Sequence, residues 1–199
     1  MPRAPRRLLD NGLYHLISRG NNHTPVLEIS GGYQKFIDVL KTALSKFDWK
    51  IYHYCLMPNH VHILANIKNS QELSRIMQYI LQEYSRWFRK QNEYVGYLWQ
   101  GRYKSPLVEN DVYFLQCARY IERNPIRANL VSKPENYPWS SYRHYALGET
   151  NPIVHENPLY QDFGLSEISR RNAYREFISL ETLRESMPDK TIRQCVSLL

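Results

Sequence analysis

Along the chain, the spacing of apolar positions switches repeatedly between two and 3.6 residues, the pattern of an α+β domain. "LYHLISRG" (13–20) predicts a short strand. Tyr33, Phe36, Ile37, Leu40, Leu44 and Phe47 recur at helical spacing, which predicts a helix over 33–47 with one buried stripe. "WKIYHYCLM" (49–57) and "HVHILANI" (60–67) predict two strands joined at Pro58-Asn59, a turn signal. Asn69 or Ser70 is placed to cap a second helix, with Glu72 positioned to complete a capping box from Asn69. That helix carries an unbroken stripe of Leu73, Ile76, Met77, Ile80, Leu81, Tyr84, Trp87 and Phe88. "GYLWQGRYKSPLV" (96–108) predicts a strand with irregular ends, and Asp111 a cap for a third helix running to about Arg123.

The order is therefore β-α-β-β-α-β followed by a helix: a ferredoxin-like antiparallel sheet with one helix added. Beyond residue 131 the composition shifts to proline, asparagine and tyrosine, which predicts mostly loop. Two short helical patterns, about 166–183 and 189–197, follow it. The expected division is a principal domain over 1–149 and a C-terminal loop and helix extension over 150–199.

Within this frame one stretch stands out. "YCLMPNHVHILAN" (54–66) puts His60 and His62 in an otherwise apolar strand. Alternate side chains of a strand share a face, so the two imidazoles point one way and Val61, Ile63 and Ala65 the other. The apolar face can pack on helices, which leaves the histidine face open or occupied. Two imidazoles at i and i+2 can reach one metal ion, yet a chain with seven histidines produces such spacing by chance often enough that the pair needs company. On the third helix, Phe114, Cys117, Ala118 and Ile121 form the core stripe, and Tyr113, Gln116, Tyr120 and Asn124 line an adjacent edge. Tyr120 and Asn124 stack one turn apart, and Pro125 is expected to end the helix at Asn124 with its amide free. His15 and His53 are expected to be structural or supporting residues.

Four segments, "MPNHVHIL", "LWQGRYKS", "RYIERNPIRANLV" and "YPWSSY", occur in the order and spacing of single-tyrosine transposases. The chain resembles these His-hydrophobic-His endonucleases over about residues 5–145, and looks most similar to the REP-associated tyrosine transposases. One departure is that the family's Asn-Pro-Val-Arg-Ala-Gly run reads Asn-Pro-Ile-Arg-Ala-Asn here. Asn129 tolerates the left-handed conformation that glycine would take, so little disturbance is expected. The resemblance implies cleavage of single-stranded DNA through a covalent 5′-phosphotyrosine on Tyr120, making the added helix the catalytic one. It implies a divalent ion, Mg²⁺ or Mn²⁺, held by His60, His62 and Asn124. A phenol with a pKa near 10 is only about 0.1% ionised at pH 7, so such a nucleophile needs nearby positive charge. Tyr113, on the same edge, is the rival nucleophile.

Composition fits a nucleic-acid partner: 26 Lys and Arg against 19 Asp and Glu give a net charge of +7. The candidate DNA contacts are Arg3, Arg6 and Arg7 in a basic arm, Arg102 and Lys104 on the strand near the site, and Arg119, Arg123 and Arg127 along the third helix. Trp139 and Tyr142 either stack a base or pin the loop. The expected partner is hairpin DNA with a single-stranded flank, and a monomer is favoured over a homodimer. No stretch approaches the roughly 18 apolar residues of a membrane helix, and three scattered cysteines make no disulfide framework. A soluble cytoplasmic, nucleoid-associated protein is expected. The alternatives are a transposase moving its own insertion sequence, a silent DNA-binding regulator on the same fold, and a small-molecule metallohydrolase, which would need neither the tyrosine nor the charge.

Overall fold

The computed structural model describes residues 7–180. Arg3, Arg6, Cys195 and the helix expected over 189–197 lie outside the described residues. Strands β1 (Gly12–Arg19), β2 (Trp49–Met57) and β3 (His60–Ile67) form an antiparallel sheet in the order β1-β3-β2. Helix α1 (Gly32–Lys46) connects β1 to β2, and α2 (Leu73–Asn92) follows β3. Asn69 caps as expected, accepting the Gln71 N–H at 3.0 Å at the head of a short 3-10 turn that runs into α2.

The fourth strand is only partly realised. Residues 96–108 run along the free edge of β1 through isolated bridges, Trp99 to Gly20, Lys104 to Ile17 and Leu107 to Tyr14. Ile17 and Lys104 exchange both backbone hydrogen bonds at 2.9 Å. Two residues interrupt the ladder: Gly101 takes a left-handed φ of 64°, and Pro106 has no N–H to donate. The segment thus occupies the fourth-strand position of the ferredoxin-like order without being a regular strand.

Side-chain alternation divides the sheet into two faces. Tyr14, Leu16, Val61, Ile63 and Ala65 face α1 and α2 and join Phe36, Leu40, Ile76, Ile80 and Tyr84 in the main core. On the other face the register aligns Arg19 with His60, Ile17 with His62 and His15 with Leu64. In β2 the positions that face each side change along the strand, because its register shifts between Ile51 and His53. The extra residue, Tyr52, reverses the parity, so Trp49 and Ile51 join the main core while Cys55 and Met57 join the cluster on the histidine face.

The histidine face is occupied. Helix α3 (Asp111–Arg127) lies over it, burying Phe114, Cys117, Ala118 and Ile121 against Cys55, Met57 and Leu64. Its cap is Asn110 and not Asp111: the Asn110 side chain accepts the Tyr113 N–H at 2.9 Å. Nor does the helix stop at Arg123; it continues through Pro125 to Arg127. Pro125 cannot donate to the Ile121 carbonyl, and the Asn124 amide nitrogen takes its place, donating to Ile121 O at 3.3 Å and to Tyr120 O at 2.9 Å. After α3 a short helix α4 (Tyr142–Leu147) forms where loop was expected. Helix α5 (Glu167–Ser179) begins at the expected point, with Ser166 and Ser169 in a reciprocal capping box. Trp139 stacks on Tyr33 with ring centres 4.9 Å apart, and Tyr142 is buried beside Tyr145 and Tyr174, so both pin the chain.

One buried carboxylate ties these layers together. Glu122 of α3 is fully buried, and its Oε1 accepts from His53 Nδ1 at 3.0 Å and Ser141 Oγ at 2.6 Å. Its Oε2 accepts from the Tyr174 hydroxyl of α5 at 2.9 Å. The Asn157 amide donates in turn to His53 Nε2 at 3.1 Å. From the next position of α3, Arg123 donates to the last carbonyls of α5, Ile178 O at 2.6 Å and Ser179 O at 2.8 Å. Removing one donor from a buried carboxylate strands an acceptor in the interior, at a cost of about 1–3 kcal/mol. Tyr174→Phe is therefore expected to lower the unfolding free energy by that amount, read as a lower urea midpoint with an unchanged m-value. An unchanged midpoint would show that the α5 contact contributes nothing to the fold.

Candidate active site

The expected residues converge. His60 and His62 sit side by side on β3 with ring centres 4.9 Å apart, and Tyr120 descends from α3 with its ring edge-on to His62 at 5.6 Å. Asn124 follows one turn along and lines a cleft of about 550 Å³ together with His60. Arg127, at the end of the same helix, lies over the Tyr120 ring at 4.9 Å, a cation–π contact that brings positive charge to the phenol. Lys104 reaches the same row of the sheet across Ile17, whose other cross-strand neighbour is His62.

The remaining basic candidates are more scattered. Arg102 is exposed at a bend of the edge segment. Arg7 makes an exposed ion pair with Glu109 at 2.6 Å. Arg119 packs over the Phe177 ring at 5.7 Å, and Arg123 caps α5 as described. Asn129 adopts a φ of 54°, the left-handed conformation that its glycine-like position requires.

Further neighbours complete the site. His15, expected to be structural or supporting, does support it: its Nε2 holds His62 Nδ1 at 2.9 Å, with both residues fully buried. Asn59, Arg19 and His23 are not singled out by the sequence pattern. Asn59 Oδ1 accepts from His60 Nδ1 at 2.6 Å, which leaves the proton on that nitrogen and the lone pair on Nε2. Arg19, across from His60 in the register, bonds His23 Nδ1 at 2.5 Å. The only signal for Asn59 and Arg19 is position: the turn before His60, and an odd-numbered place on the histidine face of β1.

Electrostatics keep this cluster neutral. Burial holds His15 at about 3, and burial with the Arg19 charge holds His60 at about 4. His62 is pushed well below its ordinary value by burial first, then by His15, His60 and Arg127. All three are thus lone-pair donors at neutral pH. Among the described residues, His60 Nε2 and His62 Nε2 are buried with no hydrogen-bond partner. Among the described residues no group of three His, Cys, Asp or Glu side chains is arranged to hold a metal ion, so a metal here would draw further oxygen ligands from Asn124, substrate or water.

Residues 9–124, more than half of the chain, match the family of IS200-like transposases, and the protein belongs to that family of DNA-cleaving and DNA-joining enzymes. Among its relatives, a Haemophilus influenzae protein provisionally named a REP-associated tyrosine transposase is 21% identical over 128 residues, 59% of this chain and 73% of that protein. A solved structure of a REP-associated tyrosine transposase bound to a REP hairpin shares the fold, with a TM-score of 0.64 at 16% identity, over 79% of this chain and 93% of that one. No helix among the described residues is long and apolar enough to cross a membrane.

The buried histidines set a pH dependence for the metal-free protein. An unfolded histidine takes up a proton near pH 6.5, whereas His60 and His15 resist protonation in the folded state down to about 4 and about 3. The unfolded state therefore binds more protons between those values, and stability falls as pH is lowered from about 6.5 towards 4. Each histidine contributes a slope of about 1.4 kcal/mol per pH unit. Urea midpoints at pH 7, 6 and 5 should show the decline, and His15→Phe should flatten it by one histidine's share.

Proposed function

We propose that the protein is a metal-dependent single-strand DNA endonuclease and strand transferase that acts on REP-like hairpins through Tyr120. The observation that carries this reading is the placement of the Tyr120 ring 5.6 Å from His62, beside two buried imidazole nitrogens that no group among the described residues satisfies. Attack by the phenolic oxygen on the scissile phosphorus forms an O–P bond and breaks the bond to the 3′-oxygen. The products are a 5′-phosphotyrosine and a free 3′-hydroxyl, and a second strand's 3′-hydroxyl reverses the step to join DNA. Arg127 stabilises the charge that develops on the phenol, and the helix that carries Tyr120 also carries Asn124, so nucleophile and ligand move together.

The donor set suits a divalent ion. His60 Nε2, His62 Nε2 and the Asn124 carbonyl oxygen would hold Mg²⁺ or Mn²⁺, which when bound supplies positive charge for the phosphate oxygens. Asn59 and His15 act behind the ligands. Each engages the Nδ1 of one ligand histidine and so aims its Nε2 into the site. His60, His62, Asn124 and Tyr120 all come from one chain, which supports action as a monomer. For the substrate, in-line attack requires an unpaired strand, and a hairpin with a single-stranded flank provides one beside a duplex to grip. The relative solved on a REP hairpin and the net charge of +7 point the same way. Arg3, Arg6, Arg7, Arg102, Lys104, Arg119, Arg123 and Arg127 remain the proposed backbone contacts.

Tyr120→Phe removes one oxygen and should leave folding and hairpin affinity unchanged while abolishing cleavage and the covalent adduct. Denaturing gels of labelled hairpin test this. An adduct formed by the variant would move the nucleophile elsewhere, with Tyr113, about 10 Å back along the helix, first in line.

His15→Phe should weaken Mn²⁺ binding to the DNA-free protein by about 10–100-fold in calorimetry, the usual cost of losing a partner behind a ligand histidine. It should also alter the ¹⁵N shifts that report the His62 tautomer in the metal-free protein. Wild-type affinity with unchanged shifts would reduce His15 to a packing residue.

A further inference from the structure

The cleft beside the histidine pair is lined by His60, Asn124 and Arg127, which the chemistry above uses, and also by residues to which it gives no role. Its polar lining comprises Arg19, His23 and Asn59 together with Arg127, His60 and Asn124. Its apolar wall is formed by Pro25, Pro58 and Leu130. At about 550 Å³ it falls within the about 300–1,000 Å³ range of sites that hold a small organic ligand.

We infer that this cleft is a subsite for one nucleotide of the single strand adjoining the scissile phosphate, with Arg19 and Arg127 gripping its phosphates and His23 packing on its base. The inference rests on the reading of the protein as a single-strand nuclease, and adds where the strand runs and which residues sense it. Three observations favour it.

First, the charge is of one sign: two guanidinium groups line the cleft, and no carboxylate is among the described residues that line it. Arginine forks suit phosphate oxygens, which supply acceptors in pairs.

Second, the wall is built to face inward. Arg19 donates to His23 Nδ1, so the neutral imidazole keeps its proton on Nε2 and offers a donor edge with a flat aromatic face. The Asn59 amide reaches the His23 carbonyl at 3.5 Å, and its oxygen accepts from His60 Nδ1, so one residue links His23 to His60 along the lining.

Third, the backbone is held in a costly shape there. Asn22 and His23 are consecutive residues with φ of 48° and 56°. The turn begins at Gly20, where any side chain would collide with the Thr24 carbonyl and Val26. The tight turn swings His23 to the cleft instead of letting β1 run on into a relaxed loop.

The combination of phosphate-binding arginines, an imidazole face and proline and leucine walls suits a nucleotide better than a free anion. A phosphate alone would leave the apolar wall without a purpose. A base stacked on a ring with its phosphate on arginine is the mixture that single-strand sites use.

The experiment uses the full chain and a hairpin with a single-stranded flank, replacing flank nucleotides one at a time by an abasic unit. Affinity is read by fluorescence anisotropy at two salt concentrations, and cleavage on gels. One flank position is expected to lose about tenfold in affinity when its base is removed. The exposed His23→Ala variant should show the same loss with the intact strand, and no further loss at that abasic position. Arg19→Gln should weaken binding at every sequence and reduce the log–log salt slope by on the order of 0.7, one single-strand phosphate contact. If the hairpin is bound and cut but no flank position couples to His23, and Arg19→Gln keeps the wild-type slope, the subsite is refuted while the nuclease reading stands. If the wild-type chain neither binds nor cuts the hairpin, both fall together.

Discussion

Glu122 is the carboxylate on which the arrangement of this molecule turns. It is fully buried, and a buried charge without partners costs several kcal/mol. Donors from β2, from the residue preceding α4 and from α5 meet at its two oxygens, so that cost is offset only when all three segments are in place. Glu122 lies two positions from Tyr120 and two from Asn124 on the same helix. Any rotation or sliding of α3 that moved the proposed nucleophile would break these bonds. The carboxylate therefore acts as an index pin for the helix that carries the chemistry, and the segment over 157–180 is part of that pin.

The sheet separates stability from chemistry. One face supplies the apolar core against α1 and α2, with no need for polar atoms. The other holds three neutral histidines, two of them with a ring nitrogen left unsatisfied. Buried unpaired nitrogens, left-handed residues at Asn22 and His23 and a proline within α3 are each unfavourable for folding alone. They gather on the side where the candidate site lies, which is where local rules are expected to give way to function. The extra residue at Tyr52 lets odd-numbered positions of β2 serve the main core at Trp49 and Ile51 and the histidine face at Cys55 and Met57.

Much of this was legible in the chain. The helix at 33–47, the helix carrying the stripe from Leu73 to Phe88, the three strands and the shared face of His60 and His62 follow from spacing alone, since periodicity reports burial directly. The family motifs led to Tyr120 and Asn124, and the structure brings both to the histidines. What was missed has physical reasons. Residues 96–108 alternate like a strand, but Gly101 and Pro106 break its ladder. Pro125 looked like a helix stop, yet Asn124 supplies the missing donor from its side chain, which periodicity cannot register. Glu122 reads as an ordinary solvated carboxylate until its partners, 52 and 69 residues away, are known. Asn59, Arg19 and His23 matter through contacts that cross strands or turns, and such pairings leave no local signal.

The spread of these contacts along the chain also sets an order in time. The sheet and its two covering helices are complete by residue 92, so the apolar face can close while later residues are still being made. The histidine face then stays uncovered until α3 emerges, and Glu122 waits for Tyr174, 52 residues further on. At about 5–20 residues per second, that delay is a matter of seconds in a nascent chain. During it, the two imidazoles of β3 stand open before the tyrosine helix is locked above them. The contacts thus become available in the order β3, α3 and α5, and a chain interrupted before the last of these would present the parts of the candidate site without the bond from Tyr174 that helps hold them in register.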